Sequence, residues 1–236
     1  MPTQTTIFYH PDLEKDTFQL DPEEAKHLKT LRIRAGHTLE LVDGKGHRVR
    51  AVVRSPAVKD CQLEIVERYP LPPPPAHRIH IAVAPTKSSD RIEWLLEKTI
   101  EIGIDRLTLI QTQHSVRTQL KPERLYRKGL AAMKQSLRAH MPAVEGVLSL
   151  EELFGQATEE HRFIAHNGKE VVAHLQEVAP KAGSYLVLVG PEGGFSEEEL
   201  TFAAEAGCLP VLLGDSRLRT ETAALVACLT LQLLNT

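Results

Sequence analysis

From residue 76 onward, short apolar runs alternate with segments whose apolar positions recur every three or four residues. This is the pattern of strands alternating with helices, and it predicts an α/β fold with a parallel sheet covered on both faces. Residues 78–84 read as a strand. Ser89 and Asp90 offer a cap for a helix in which Ile92, Leu95, Leu96, Thr99 and Ile100 share one face, and Gly103 stops it. Strands are expected at 107–111, 161–166, 185–189 and 211–213, and helices at 122–138, 196–206 and 220–234. Ahead of residue 70 the pattern differs. Asp21-Pro22-Glu23-Glu24 is a helix start, with an Asp cap, Pro in the first turn and acids at the positive end of the dipole. Residues 38–43 and 47–54 are β-rich and flank Gly44-Lys45-Gly46, a hairpin signal, and 62–69 adds a strand. Between the two regions, Pro70-Leu71-Pro72-Pro73-Pro74-Pro75 can neither join a sheet nor continue a helix. A small, mostly β domain at 1–70, a linker at 71–75 and a larger domain at 76–236 are expected.

At 236 residues, one large and one small domain is the natural division. Hydrophobic residues at 42% and charged ones at 25% rule out a disordered chain. No basic stretch followed by an apolar run stands at the amino terminus, and no apolar segment reaches the roughly 18 residues that span a bilayer. A cytoplasmic protein with no membrane partner is therefore expected. Cys61, Cys208 and Cys228 are widely scattered and read as buried thiols, and the eleven histidines contain no His-Glu-x-x-His, so no metal is indicated. The net charge of −3 seems to argue against nucleic acid, but its distribution is uneven. From Lys26 to Arg54 there are eight Lys or Arg against Glu40 and Asp43, and from Arg106 to Arg138 eight against Glu123. Each basic segment reads either as a solvated face or as a footprint for nucleic acid, and two in one acidic-leaning chain lower the weight of the first reading.

In open α/β sheets ligands bind outside the carboxyl ends of strands, so loops that directly follow buried strands are the first place to look. Gly190-Pro191-Glu192-Gly193-Gly194-Phe195 follows the strand at 185–189 and leads into a helix capped by Ser196, with Glu199 at the reciprocal position. Leu213-Gly214-Asp215-Ser216-Arg217-Leu218-Arg219 follows the next strand and leads into a helix capped by Thr220. If both strands run parallel, both loops emerge on one edge. Three glycines in five residues let a backbone approach a ligand closely. A triphosphate suits this loop poorly, because there is no Gly-Lys-Ser/Thr ending and Glu192 would repel phosphate. A sulfonium-bearing adenosine, positive at its reacting centre, suits a neutral pocket with a carboxylate better. A tight turn with no ligand remains the alternative.

These two loops, Gly190 to Ser196 and Leu213-Gly214 through Leu218-Arg219-Thr220-Glu221-Thr222-Ala223, resemble the paired signature of the ribosomal RNA small subunit methyltransferase E family. The likeness extends to Phe8-Tyr9, His27 through Leu31-Arg32 before Gly36, Lys98 through Glu101-Ile102-Gly103, and Gln135-Ser136 with Arg138 and Pro142. The resemblance implies a PUA-like, β-barrel RNA-binding domain followed by a SPOUT methyltransferase domain whose carboxyl-terminal segment threads a trefoil knot, a feature otherwise nearly absent from proteins. It also implies S-adenosylmethionine as cofactor, a homodimer with the substrate site at the subunit junction, and methylation of N3 of one uridine in the 16S RNA of the small ribosomal subunit. Carried over residue by residue, Gly190, Glu192, Gly193 and Gly194 form one wall of the cofactor pocket and Leu213, Gly214, Leu218 and Thr220 the other. Lys134 stands where the family usually has Glu, and Arg217 where it usually has Ile, so a carboxylate role at position 134 is ruled out.

Uracil N3 carries a proton and its lone pair is tied into the ring, so methylation there needs a proton acceptor or an anion stabiliser. Arg219 is the expected stabiliser, and Glu192 or Glu221 the acceptor. End-of-helix electrostatics is the alternative for Arg219 and Glu221. Lys26, Lys29, Arg32 and Arg34 are expected to contact RNA phosphates, with Arg117, Gln135 and Arg138, beside Ser115, as further RNA contacts. Lys98 and Glu101, three apart on one helix, read equally as an ion pair or as substrate contacts. Rival readings are a SPOUT relative acting on another RNA such as transfer RNA, and a non-catalytic RNA-binding assembly factor. A nucleotide-dependent oxidoreductase is disfavoured by the absence of Gly-x-Gly-x-x-Gly after an early strand.

Overall fold

The computed structural model describes residues 6–73, 75–115, 121–168, 171 and 173–236. The chain forms two compact units. One is built from the chain ahead of Pro75 together with Leu130–Met141, the other from Pro75–Gly129 and Pro142–Thr236. Among the described residues no helix is long and apolar enough to cross a membrane.

The first unit contains β1 (Ile7–Tyr9), β2 (Thr17–Gln19), α1 (Pro22–Thr30), β3 (Thr38–Val42), β4 (Arg48–Ala57) and β5 (Asp60–Arg68), with the sheet order β1-β3-β4-β5-β2. β1 runs parallel to β3, and the other pairs are antiparallel. β1 and β2 have three residues each, too few to show a period, and no strand was expected at either place. The β3–β4 hairpin forms as expected. Gly44 and Gly46 take φ of 75° and 107°, and the buried Asp43 accepts the amides of Lys45 and His47 at 2.7 and 3.1 Å. Asp21 caps α1 by accepting the Glu23 amide at 2.8 Å, with Pro22 in the first turn. Phe8, Leu28, Leu41, Val53 and Leu63 close the core. Against this unit packs the end of α3 (Pro122–Gln135). Lys134 makes an ion pair with Glu24, whose other oxygen accepts the Tyr9 amide at 3.3 Å. The predicted helix to residue 138 stops at Gln135 because Leu137 turns left-handed, at φ 58°, and the Arg138 amide folds back to Met133. Arg138 therefore follows the helix, a correction to its expected place on it.

The second unit holds six parallel strands in the order β11-β9-β10-β6-β7-β8. In chain order these elements are β6 (His77–Val83), α2 (Ser89–Ile102), β7 (Arg106–Ile110), β8 (Ala143–Leu148), α4 (Leu150–Gln156), β9 (His161–Ala165), α5 (Leu175–Val178), β10 (Gly183–Val189), α6 (Glu197–Glu205), β11 (Cys208–Val211) and α7 (Thr220–Leu234). The chain moves outward from β6 to β8, returns to β9, and then inserts β10 between β9 and β6. Order reverses there, which makes the β6/β10 border the switch point. Ala82, Leu186, Leu188 and Ile164 pack with α4 and α6 residues Leu150, Leu153 and Ala203 on one face. The alternate positions Ile79, Ile81, Tyr185 and Val187 are buried on the other, where α7 lies on β6 and β10.

Three elements were not anticipated: β8, α4 and α5. β8 is a half-exposed edge strand without clean alternation. α4 does carry a legible start, Ser149 and Glu152 in a reciprocal capping box. β11 falls at Cys208–Val211 rather than 211–213, since register with β9 pairs Cys208 with Arg162 and Val211 with Ala165. Its Pro210 is tolerated because β11 is an edge. All three cysteines are buried, and burial pushes the Cys208 thiol up to about 12.

Toward the amino ends of β6 and β7 lies a buried polar cluster. His80, 3% exposed, meets Glu159 at 2.6 Å through Nδ1 and Thr108 at 2.8 Å through Nε2. Thr108 donates to Glu145 at 2.7 Å, and Arg106 also pairs with Glu145. Burial by itself raises both carboxyls, but the bonds from His80 to Glu159, and from Arg106 and Thr108 to Glu145, outweigh it and hold both below the usual glutamate value. Folded-state values below the unfolded ones mean stabilisation that is full near neutral pH and lost as pH falls below about 4.5. We expect Glu159→Gln to lower stability at pH 7 by about 1–3 kcal/mol and to flatten the loss of stability on acidification. Urea titrations at pH 7 and pH 4 test this, and a variant as acid-sensitive as the parent refutes it.

Candidate active site

Register decides where this site lies. Val189 at the end of β10 pairs with Ala165 at the end of β9, which pairs in turn with Val211 at the end of β11, and Val83 of β6 is level with Val189. Four parallel strands thus finish at one height, and the segments that follow them open on the same edge. There the segments after β9, β10 and β11 enclose a cavity of about 600 Å³, within the usual range for small-molecule sites. One wall is Gly190 to Gly194, and the other is Leu213, Gly214 and Ser216 to Thr220. All eight residues expected to hold a cofactor line it: Gly190, Glu192, Gly193, Gly194, Leu213, Gly214, Leu218 and Thr220.

The floor was missed. It consists of Ala165, His166 and Asn167 at the end of β9. The rule that singled out the other two loops applies equally to this strand end, so the signal was present in the sequence.

Local geometry explains the glycines. Gly194 takes φ 73°, and its amide bonds to the Pro191 carbonyl at 2.9 Å, closing a turn. A Cβ on Gly190 would stand 2.9 Å from the Phe195 ring, and one on Gly193 would stand 3.1 Å from Cβ of His114. His114, on the turn after β7, donates from Nδ1 to the Gly194 carbonyl at 3.1 Å, and the neighbouring Gln113 amide reaches Glu199 at 2.7 Å. This second buttress was not read from the sequence. Ser196 and Glu199 cap α6 reciprocally, as expected.

The two walls are tied together. Thr220 donates its hydroxyl to the Gly190 carbonyl at 3.0 Å, and Arg217 donates to the Glu192 carbonyl at 3.0 Å. Thr220 is the first residue of α7, and the cap position is Arg219, which makes no side-chain cap bond. The cap was expected at Thr220. Its hydroxyl instead serves the opposite loop.

A second hollow of about 580 Å³ adjoins the first and shares Arg217, Leu218 and Arg219 with it. Asp90, Arg91, Trp94, Glu221 and Thr222 complete its lining. Glu221, 7% exposed, belongs to this hollow, and its Oε2 has no hydrogen-bond partner among the described residues. Glu192 lines the first cavity with its side chain 42% exposed. The three residues expected to do chemistry thus separate by environment.

The remaining predicted contacts fall elsewhere. Lys26, Lys29, Arg32 and Arg34 are all exposed in the first unit, on α1 and just after it, with Arg32 at φ 56°. Gln135, also exposed, and Arg138 belong to that same unit. Arg117 lies outside the described residues. Ser115 shapes the turn after β7 by accepting the Thr112 amide at 3.0 Å. Lys98 bonds Glu101 and Glu97 at 2.8 and 2.9 Å, bonds that raise its pKa, with Glu101 contributing most, and the ion-pair reading accounts for it.

Comparison with known proteins fits this geometry. The profile of an RNA methyltransferase domain matches residues 72–232, and that of an RNA methyltransferase PUA domain matches residues 20–66. Ribosomal RNA small subunit methyltransferase E of Mycobacterium bovis is 34% identical over 224 residues, covering 88% of this chain and 83% of that protein. The chain belongs to this methyltransferase family. A crystal structure of a probable rRNA-methyltransferase from Porphyromonas gingivalis superposes with a TM-score of 0.89 at 41% identity, covering 97% of this chain and 98% of the other. Ribosomal RNA small subunit methyltransferase E of Neisseria gonorrhoeae, bound to S-adenosyl methionine, gives a TM-score of 0.88 at 27% identity, covering 98% of both chains. The six-stranded parallel sheet and the amino-terminal PUA domain are thus family features.

Because the Phe195 ring fills the space a Cβ would need, Gly190→Ala is expected to destabilise the chain by about 1–3 kcal/mol. Phe195→Leu in the same background should recover part of the loss. Denaturant titration of the two single variants and the double checks this, and strictly additive effects refute the packing account.

Proposed function

We propose that this protein methylates N3 of a uridine in the 16S RNA of the small ribosomal subunit, with S-adenosylmethionine as methyl donor. The observation that carries the reading is the pair of adjoining hollows divided by Arg217, Leu218 and Arg219. The first is walled by glycine-rich backbone, which lets a ligand approach closely, has the volume of a small-molecule site and carries one carboxylate, Glu192, which suits a cationic nucleoside. When bound there, S-adenosylmethionine supplies an electrophilic methyl group.

The chain's own residues account for the rest. The second hollow would take the target base, with Glu221 as proton acceptor. Glu221 is buried and has an oxygen with open acceptor capacity, while the more exposed Glu192 faces the donor. The N3–H bond would break as its proton passes to the Glu221 carboxylate, and the freed lone pair would take up the methyl group as that group's bond to sulfur breaks, the sulfonium leaving as a neutral thioether. Arg219, lining both hollows, stabilises negative charge on the uracil oxygens. Holding both molecules in line supplies much of the rate gain.

RNA capture falls to the PUA-containing unit, where Lys26, Lys29, Arg32 and Arg34 present exposed charge and Gln135 and Arg138 join them. Arg117 belongs to the same assignment. The homodimer is part of the proposal, supported by the exposed Leu229 and Leu233 on α7, as are the knotted carboxyl-terminal segment and a cytoplasmic location, where ribosomal subunits mature.

Incubating isolated small subunits, and transfer RNA beside them, with labelled methyl donor tests the substrate. Labelled N3-methyluridine from 16S RNA alone is expected. Modified transfer RNA points to the other substrate class, and no turnover with either RNA to an assembly factor. Glu221→Gln should lower kcat by about 10²–10⁴ with cofactor affinity within a few-fold of the parent. An unchanged rate removes Glu221 from its role. Arg32→Ala should lower the slope of log affinity against log salt by roughly 0.7–0.9, and an unchanged slope in RNA-binding titrations removes that contact.

A further inference from the structure

Arg91 is the third residue of α2, a place where the helix dipole disfavours a cation. No part of the cofactor walls or of the proton-transfer scheme uses it. Its neighbours show what it does. Arg124 takes Asp90 at 2.9 Å and Glu93 at 2.6 Å, which leaves Arg91 facing two other carboxylates. Nη1 of Arg91 lies 3.7 Å from Glu192, on the first loop, and Nε lies 3.6 Å from Glu221, in the first turn of α7 directly after the second loop. The two glutamates are 29 residues apart in sequence, Glu192 in one wall of the first cavity and Glu221 directly after the last residue of the other. One guanidinium, held by a third element, spans both.

We propose that Arg91 is a positioning residue that clamps the two walls of the cofactor cavity and fixes Glu221 in place. The inference rests on the reading of the first cavity as the methyl-donor site. Both separations exceed hydrogen-bond length, so Arg91 acts through charge and leaves the second oxygen of Glu221 open to a ligand. A guanidinium suits the task, because its planar fork presents separate N–H groups toward two acceptors, whereas an ammonium is one point charge. The clamp adds to the links from Thr220 to Gly190 and from Arg217 to Glu192. Those tie a side chain of one loop to a backbone carbonyl of the other, and Arg91 faces the two carboxylate side chains.

The test uses the full chain with S-adenosylmethionine in calorimetry, Arg91→Met to keep length without charge, and Arg91→Lys to keep charge without the fork. Arg91 is 38% exposed, so each interaction is modest and the expected loss of cofactor affinity in Arg91→Met is about three- to fivefold. Arg91→Lys should recover part of it. The loss in kcat should exceed the loss in affinity, because Glu221 is also released.

A merely structural role would not produce the next result. Glu192→Gln and Glu221→Gln should be non-additive for cofactor binding in the parent and additive in Arg91→Met. Without cofactor, the amides of Gly190 and of Glu192 to Phe195 should exchange faster in Arg91→Met than in the parent. Parent-like affinity together with parent-like exchange in Arg91→Met, or additivity in both backgrounds, overturns the clamp. If the parent itself fails to bind S-adenosylmethionine, the reading of the cavity fails, and the exchange measurement still decides whether Arg91 ties the loops.

Discussion

The rest of this structure depends on a matter of register. β9, β10 and β11 are parallel and finish level, with Ala165 paired to both Val189 and Val211. A single-residue slip in either pairing would turn every side chain of that strand to the other face, so burial on both faces of the sheet locks the alignment. Because it is locked, two glycine-containing loops separated by seventeen residues meet around one cavity. The cavity is a consequence of sheet packing before it is a consequence of any cavity-lining side chain.

What lies on the loops makes that proximity specific. Gly190 and Gly193 are glycines because Phe195 and His114 occupy the space beside them. Thr220 and Arg217 donate to carbonyls of the opposite loop, and neither donor is more than three residues from Leu218. Arg217 stands where the resemblance leads one to expect isoleucine, and here it makes a polar link to the opposite loop. The substitution leaves the backbone groups of the pocket intact, which is why it is compatible with the family's chemistry.

A similar exchange occurs in the first unit. Lys134, where the family usually has glutamate, forms an ion pair with Glu24 of α1, a carboxylate that also accepts the Tyr9 amide. Nearby in sequence, Gln135 is exposed and Arg138 follows the helix. Lys134 thus belongs to a structural pair, while Lys26 and Lys29 of α1 are exposed. The net charge of −3 conceals this, because the acids cluster on other segments.

The sequence by itself determined the class of each unit, the order of the long elements and the two loops that wall the cavity. It could do so because alternation, helical periodicity, capping residues and glycine spacing are local properties that neighbouring residues suffice to express. It did not disclose β1 and β2, too short to show a period, nor the end of α3, which is set by a left-handed Leu137 rather than by glycine. Tertiary structure alone decided the end of β11, the buttress from His114, the division of Glu192 and Glu221 between two hollows, and the place of Arg91 between them. Each of these is a meeting of segments remote along the chain, and such meetings are fixed by strand register and close packing, which no local pattern of residues encodes.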